Sequence, residues 1–357
     1  MKDPTVGQMG EKALVRHLRS RIPAGPSVVV GPGDDAAAVE TTALTLVTTD
    51  VMVEGVHFVG EWCPPRLVGR KALSVNLSDI AAMAGLPRFA TVSLCLPAAT
   101  PQSLVDGLYD GILERAAETG VSVVGGNVSL NSAAIIVDVT LLGQADRMLR
   151  RGGAQPGDSV VVTGHLGAAA AGLRLLRQGA RLDADGALSA TGPWTGSSAG
   201  AVTHCLRAQL DPNPPLAFAR ALAEHDIARA AMDVSDGLSG DLRSICEESD
   251  VSAWIEADQV PIDPPALSLE RARGGDAFAL ALHGGEDYQL LLAVPPEKLD
   301  ALRDVAVIWD IPVTVVGQFA PGPPALLLRN KGTLLPLVPQ SYDHFAAAGG
   351  AGMRAGS

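Results

Sequence analysis

Acidic residues in five short blocks carry the chemistry that this sequence can do. The blocks are GPGDDAAAV (31–39), TTDVMVEGVHF (48–58), NLSDIAAMAG (76–85), MDVSDGLSGDL (232–242) and HGGEDY (283–288). Within them Asp34, Asp35, Asp50, Asp79, Asp233, Asp236, Glu286 and Asp287 have apolar or small neighbours, the setting of partly buried strand ends and glycine turns. Several carboxylates share a low-dielectric site only when protonated or neutralised. Lysine is scarce, at positions 2, 12, 71, 298 and 331 alone. Divalent cations are then the readiest neutralising agents, and hard carboxylate oxygens suit Mg²⁺.

Each block also has a plainer reading. GDD is a turn signal by itself. DVSDG reads as a turn whose Asp caps a helix opening at Gly237, a role compatible with metal ligation. Asp79 lies in an otherwise apolar helical stretch one turn from Asn76, which favours a site over a solvated face. His57, between Val56 and Phe58, reads on pattern alone as a core histidine. For phosphate there is neither a G-x-x-x-x-G-K-[ST] loop nor a G-x-G-x-x-G opening a helix. The remaining anion candidates are the amides of VGGN (124–127) and GGED, Ser235 at a helix start, and Arg150 or Arg151. Both Gly-Gly pairs also read as tight turns. No Ser-His-Asp or Cys-His order suggests a covalent nucleophile. Spacing alone leads to a Mg²⁺-dependent enzyme that handles a nucleotide or phosphate.

These groups need elements to hold them. Residues 44–49 read as a buried strand ending in Asp50, 66–84 as a helix with Leu73, Leu77, Ile80 and Ala84 on one stripe, and 89–97 as a strand. An amphipathic helix follows over 101–119, then a strand into the Gly125-Gly126 turn and a long strand over 133–144. This half is expected to form a curved sheet with helices on one side. Arg, Gly and Pro accumulate near 147–160, a domain boundary. Beyond it come strand 160–164, helix 166–178, a loop over 182–198, helix 215–226, strand 230–234, helix 237–248 and strand 252–256. The HGGED turn, strand 288–295, helix 297–307 and strands near 312–318 and 324–328 complete the pattern. The expected division is 1–147, 148–345 and a disordered tail over 346–357, an α/β (α+β) fold of two domains.

The 357 residues are 47% hydrophobic and 18% charged, which supports real cores and excludes a disordered or fibrous chain. Thirty-nine Asp and Glu against 27 Lys and Arg give a net charge of -12, which argues against nucleic acid or an anionic membrane as partner. Cys63, Cys95, Cys205 and Cys246 are scattered without metal-like spacing, as in a reducing compartment. The charged N-terminus is unlike a signal peptide, and no apolar run reaches about 18 residues. The expected location is the cytoplasm.

Taken in order, GDDAA, TTDVMVEGVHF, GRKALSVNLSDIAAMAG, RGGAQPGD, MDVSDGLSGDL, GGEDYQL and SYDHFA resemble thiamine-monophosphate kinase, of the aminoimidazole-ribonucleotide-synthetase-like superfamily. The resemblance spans nearly the whole chain. It implies an N-terminal domain whose mixed sheet pairs with that of a second subunit in a dimer barrel, and a C-terminal α/β domain closing the cleft. It implies ATP-dependent phosphorylation of thiamine monophosphate, with several Mg²⁺ ions and a homodimer. The metal ligands it implies are Asp35, Thr48, Thr49, Asp50, Asp79, Asp233 and Asp236, with catalysis carried through Asp50, Asp79 and Asp233. ATP contacts correspond to Tyr109, Gly126, Asn127, Arg151 and Ser235, and substrate contacts to His57, Glu286 and Tyr342. Lys71 matches a lysine of the family block and receives no catalytic role.

One position departs. The family has Gly-Gly-Asp-Thr with the Asp on magnesium, and this chain has Gly125-Gly126-Asn127-Val128. Asn127 is expected to ligate the metal through its carbonyl oxygen, without the charge, or else only to cap the glycine turn through its side chain. The alternatives are another ATP-dependent member of the superfamily or a non-catalytic nucleotide-binding dimer. Cys63 in a Trp-Cys-Pro context and the MRAGS terminus fit the cysteine-dependent members poorly.

Overall fold

The computed structural model describes residues 3–9, 11–30, 38–41, 44–192, 194 and 198–340. Asp34, Asp35, Tyr342 and the expected tail lie outside the described residues. Helices α1 (Val6–Met9) and α2 (Glu11–Arg21) and the strand pair β1 (Val28–Val30) and β2 (Ala38–Val39) precede the first large sheet. That sheet is built from β3 (Leu44–Val53), β4 (Leu86–Leu96), β5 (Ser122–Leu130) and β6 (Ile136–Ala145), in the order β3-β6-β4-β5. β6 runs antiparallel to both neighbours, and β4 and β5 are parallel.

Helices α3 (Pro65–Ala82) and α4 (Gln102–Thr119) cover one face of this sheet. Proline at the start of α3 sets its first turn, where a missing N–H costs nothing. The helix is buried on nearly every side. A helix apolar all round belongs in a core, and the polar Lys71, Asn76 and Ser78 within it each find a partner. Leu73, Leu77 and Ile80 pack with Leu108 and Ile112 of α4 and with Val92, Val139 and Leu141 of the sheet.

The second sheet contains β7 (Ser159–Thr163), β10 (Ala230–Asp233), β11 (Ser252–Glu256), β12 (Leu290–Val294), β13 (Val313–Ala320), β14 (Leu326–Asn330) and β15 (Thr333–Pro336). Its order is β10-β12-β7-β13-β11-β14-β15, antiparallel except for β11 with β14. Around it lie α5 (Ala168–Arg177), α6 (Ala199–Leu210), α7 (Leu216–Glu224), α8 (Leu238–Ser249), α9 (Pro264–Arg273), α10 (Ala277–His283) and α11 (Leu299–Ile308). The apolar core is continuous from the first sheet through α3 into α5 and α6. Among the described residues no helix is long and apolar enough to cross a membrane, and the four cysteines are free.

Several sequence expectations are corrected. The strand from Leu44 runs on to Val53, and alternate residues Val47, Thr49 and Val51 are exposed, so it is not a buried strand. Gly125, Gly126 and Asn127 form no turn; they lie within β5, paired with Thr91, Val92 and Ser93. A Cβ on Gly126 would stand 1.9 Å from the Val92 carbonyl oxygen, so close strand approach selects glycine there. Part of the 182–198 loop is a hairpin of β8 (Ala180–Leu182) and β9 (Leu188–Thr191). Helices α6, α9 and α10 are additional to the sequence reading. At α8 the N-cap position is held by Gly237 and not by Asp236.

Candidate functional site

Helix α3 is the ruler of the site. Lys71 and Ser78 are seven residues apart, two turns on one face and about 10 Å along the axis. Ser78 Oγ donates to Asp233 Oδ2 at 2.7 Å, and Lys71 Nζ donates to Glu286 Oε1 at 2.6 Å. Asp79, the next residue around the helix, accepts from the Thr48 hydroxyl of β3. One helix thus gathers Thr48 from the first sheet, Asp233 from the end of β10 and Glu286 from the turn after α10.

The Asp233 and Glu286 blocks are zipped together by backbone. Glu286 N donates to Ser235 O at 2.8 Å, Tyr288 N to Val234 O at 2.9 Å, and Val234 N to Gln289 O at 2.8 Å. Gly285 makes this approach possible: its φ is +68°, and a Cβ there would lie 2.5 Å from Ser235 O. Glu286 follows at φ 58° and Tyr288 at φ 49°, a left-handed backbone that side chains occupy at a cost of about 1–3 kcal/mol. Such strain is retained where it aims a functional group. Gln209 of α6 donates to Glu286 Oε2 at 2.6 Å, so both carboxylate oxygens of Glu286 are held.

Electrostatics mark the carboxylates as a group. Burial, with the charges of Asp79 and Asp233, pushes the Asp50 carboxyl up to about 7, and Asp138 adds to the shift. Burial and Asp79 raise Asp233 to about 6, against the opposing effects of the Ser78 hydrogen bond and the Arg151 charge. Asp241, missed by the sequence reading, belongs here too. Burial and the charges of Asp233 and Asp236 raise it to about 8, and its Oδ2 accepts from Asp236 N at 3.2 Å. Its other oxygen is buried without a partner. The DGLSGDL spacing, with Asp five residues beyond Asp236, was the available signal.

The other candidates divide. Thr49 is on the exposed side of β3, and its hydroxyl donates to Asp138 Oδ1 at 3.0 Å. Ser235 is half-buried and Asp236 exposed at the α8 start. Arg151 is exposed, its charge acting on Asp233 and Asp241. His57 is half-buried in the turn after β3, and its Nδ1 accepts from Val53 N at 3.0 Å. A neutral imidazole accepting at Nδ1 carries its proton on Nε2. Tyr109 is 4% exposed in the core beside α3, and burial raises its hydroxyl to about 12. Asn76 is fully buried and donates to Ala72 O, one turn back on its own helix. Asp287 turns away to accept from Gly167 N at 2.8 Å and Ala169 N at 3.3 Å, capping α5.

Among the described residues no three His, Cys, Asp or Glu side chains are already drawn to metal-binding distance. The donor chemistry nonetheless fits Mg²⁺: the group is all oxygen, and its carboxyls resist ionisation for want of a counter-charge.

Comparison with known proteins gives the class. Residues 33–145 match the family model of AIR synthase related protein, N-terminal domain, and residues 155–325 that of AIR synthase related protein, C-terminal domain. The chain is 33% identical over 345 residues to the thiamine-monophosphate kinase of Bacillus subtilis (strain 168), covering 94% of this chain and 100% of that protein. The crystal structure of thiamine-monophosphate kinase from Stenotrophomonas maltophilia K279a is similar with a TM-score of 0.76 at 33% identity, over 90% of this chain and 96% of that one. AaThiL complexed with AMPPCP and TMP gives 0.73 at 31% identity, over 94% and 97%. Within the AIR synthase related class, the chain belongs to the thiamine-monophosphate kinase family.

Proposed function

We propose that this protein transfers the γ-phosphoryl group of ATP to thiamine monophosphate, giving thiamine diphosphate and ADP. The bond from the γ-phosphorus to the β,γ-bridging oxygen breaks, and one from that phosphorus to a phosphate oxygen of thiamine monophosphate forms. The observation that carries the reading is the convergence on α3, which carries Asp79, of Thr48, Asp233 and Glu286 from separate parts of a chain that matches the family along its length.

The acceptor is a phosphate monoester, whose second pKa is near 6, so it arrives as an anion and needs no strong base. The difficulty is bringing two anions together, which is a matter of positioning and charge control. Asp50, Asp79, Asp233 and Asp236, with Thr48, Thr49, Asn127 and Asp35, are the proposed Mg²⁺ ligands. When bound, Mg²⁺ supplies charge neutralisation across the phosphates. Arg151 and Ser235, with Gly126, Asn127 and Tyr109, are proposed to hold ATP. His57 is proposed to contact the thiamine phosphate, and Glu286, fixed by Lys71 and Gln209, to receive the same substrate with Tyr342.

We also assign a homodimer through the first sheet, a division of the chain near residue 147, and a cytoplasmic location. The test of function is incubation with Mg-ATP and thiamine monophosphate, with the product resolved by chromatography. Thiamine diphosphate and ADP are expected in equal amounts, with free thiamine a poor acceptor. Thiamine monophosphate left untouched while ATP is bound would overturn the assignment.

A further inference from the structure

Sheet register puts a carboxylate where residue 127 lacks one. Ser93 of β4 pairs with Asn127 of β5 on one side and with Asp138 of β6 on the other, and Asp138 pairs in turn with Val51 of β3. The four residues form one row across the sheet. Their strand neighbours Val92, Leu94, Val137 and Val139 are fully or almost fully buried against the helices, so the row itself lies on the opposite face. Asn127 and Asp138 therefore share a face, two strand spacings or about 10 Å apart.

Asp138 is held as well as placed. Thr49 Oγ1 donates to Asp138 Oδ1 at 3.0 Å, and Thr140 Oγ1 donates to Thr49 Oγ1 at 3.2 Å. Asp138 thus holds one member of the proposed ligand set, Thr49, by hydrogen bond, and shares a face with another, Asn127, across Ser93 of β4. An amide oxygen binds a hard cation without adding charge, and Mg²⁺ keeps several of its waters, so a carboxylate acts on it directly or through one.

We propose that Asp138 is an unassigned magnesium-site residue, supplying the negative charge that Asn127 does not bring to an ion on the Thr49 face of the sheet. The inference rests on the kinase reading above and deepens it for this chain. A purely structural Asp138 would do no more than accept the Thr49 hydroxyl, which an isosteric Asn does equally well.

The test uses Mn²⁺ as the probe, titrated by electron paramagnetic resonance into the full chain with β,γ-methylene ATP. Asp138→Asn should raise the half-saturating Mn²⁺ concentration about tenfold or more, the usual cost of losing a metal-supporting group. Its Mn²⁺-free melting temperature should not fall. Asn127→Asp should recover most of the loss in the Asp138→Asn background and change binding less in the wild type, a non-additivity expected of residues serving one ion. A titration of Asp138→Asn superimposable on that of the wild type would overturn the proposal, as would failure of Asn127→Asp to restore binding. If the wild type took up no Mn²⁺ with the analogue, the nucleotide reading itself would fall. Binding that persists unchanged in Asp138→Asn removes Asp138 alone.

Discussion

Lys71 Nζ lies 2.6 Å from Glu286 Oε1, joining the buried helix α3 to the strained turn that also carries Tyr288. Lys71 is 4% exposed, and between Lys12 and Lys298 it is the chain's one lysine. Burying an ammonium is costly unless it is paired. The pair therefore fixes the Glu286 carboxylate two helical turns from the Ser78–Asp233 contact, and with it the spacing between substrate turn and acidic group.

Lys71→Gln is expected to destabilise the protein by about 1–3 kcal/mol, because Glu286 loses its charged partner yet keeps part of its hydration. Since Glu286 would lose its aim, KM for thiamine monophosphate should rise more than kcat falls. Urea unfolding and steady-state kinetics check both, and an unchanged KM would reduce Lys71 to a packing role.

Asp50→Asn should lower kcat at least about a hundredfold, the scale of losing one preorganised electrostatic contact. The metal-free fold should persist or gain stability, since one of several mutually repelling carboxylates is removed. Near-normal turnover with an intact circular dichroism spectrum would remove Asp50 from the mechanism.

Stability should depend on pH in a direction set by raised carboxyls. Asp233, Asp50 and Asp241 sit at about 6, 7 and 8, above the ordinary carboxylate range. The folded state holds these protons more tightly than the unfolded chain, so their contribution is present below about pH 4 and lost as pH rises through 6 to 8. In chelator-treated protein the melting temperature should fall between about pH 5 and pH 8, and millimolar Mg²⁺ should reduce the fall. A flat profile, or one that rises toward pH 8, would contradict the shared-burden picture of these groups.

Adjacent glycines should respond differently to one methyl group. Gly126→Ala drives a Cβ into the Val92 carbonyl and should destabilise the β4–β5 pair by about 1–3 kcal/mol. At Gly125 the nearest atom is the Thr91 methyl at 3.8 Å, so Gly125→Ala should be tolerated. Thermal melts of the two variants decide it.

The face of the first sheet turned away from its helices, with Val47 and Val51 67% and 47% exposed, should be covered in solution by a second copy. Light scattering should give twice the 36.7 kDa chain mass, and Val47→Lys should shift it toward one chain mass. A monomer at micromolar concentration in the wild type would exclude the dimer.

The sequence by itself determined the chemistry and the family. Residue types are local, so the acidic blocks, the scarcity of lysine and the ordered motifs stand in it regardless of fold, and the α3 stripe follows from its period. Only the tertiary structure decided which of these residues act together. Asp236 and Asp287 look alike in sequence, yet one stays at the carboxylate group and the other caps α5. Gly-Gly-Asn reads as a turn until β4 is laid beside it, because close strand approach is a property of the pair and not of either segment. Lys71 and Glu286 are 215 residues apart, and Asp138 and Asn127 meet in one row through β4. Hydrogen-bond register and buried charge are long-range facts, and no local pattern encodes them.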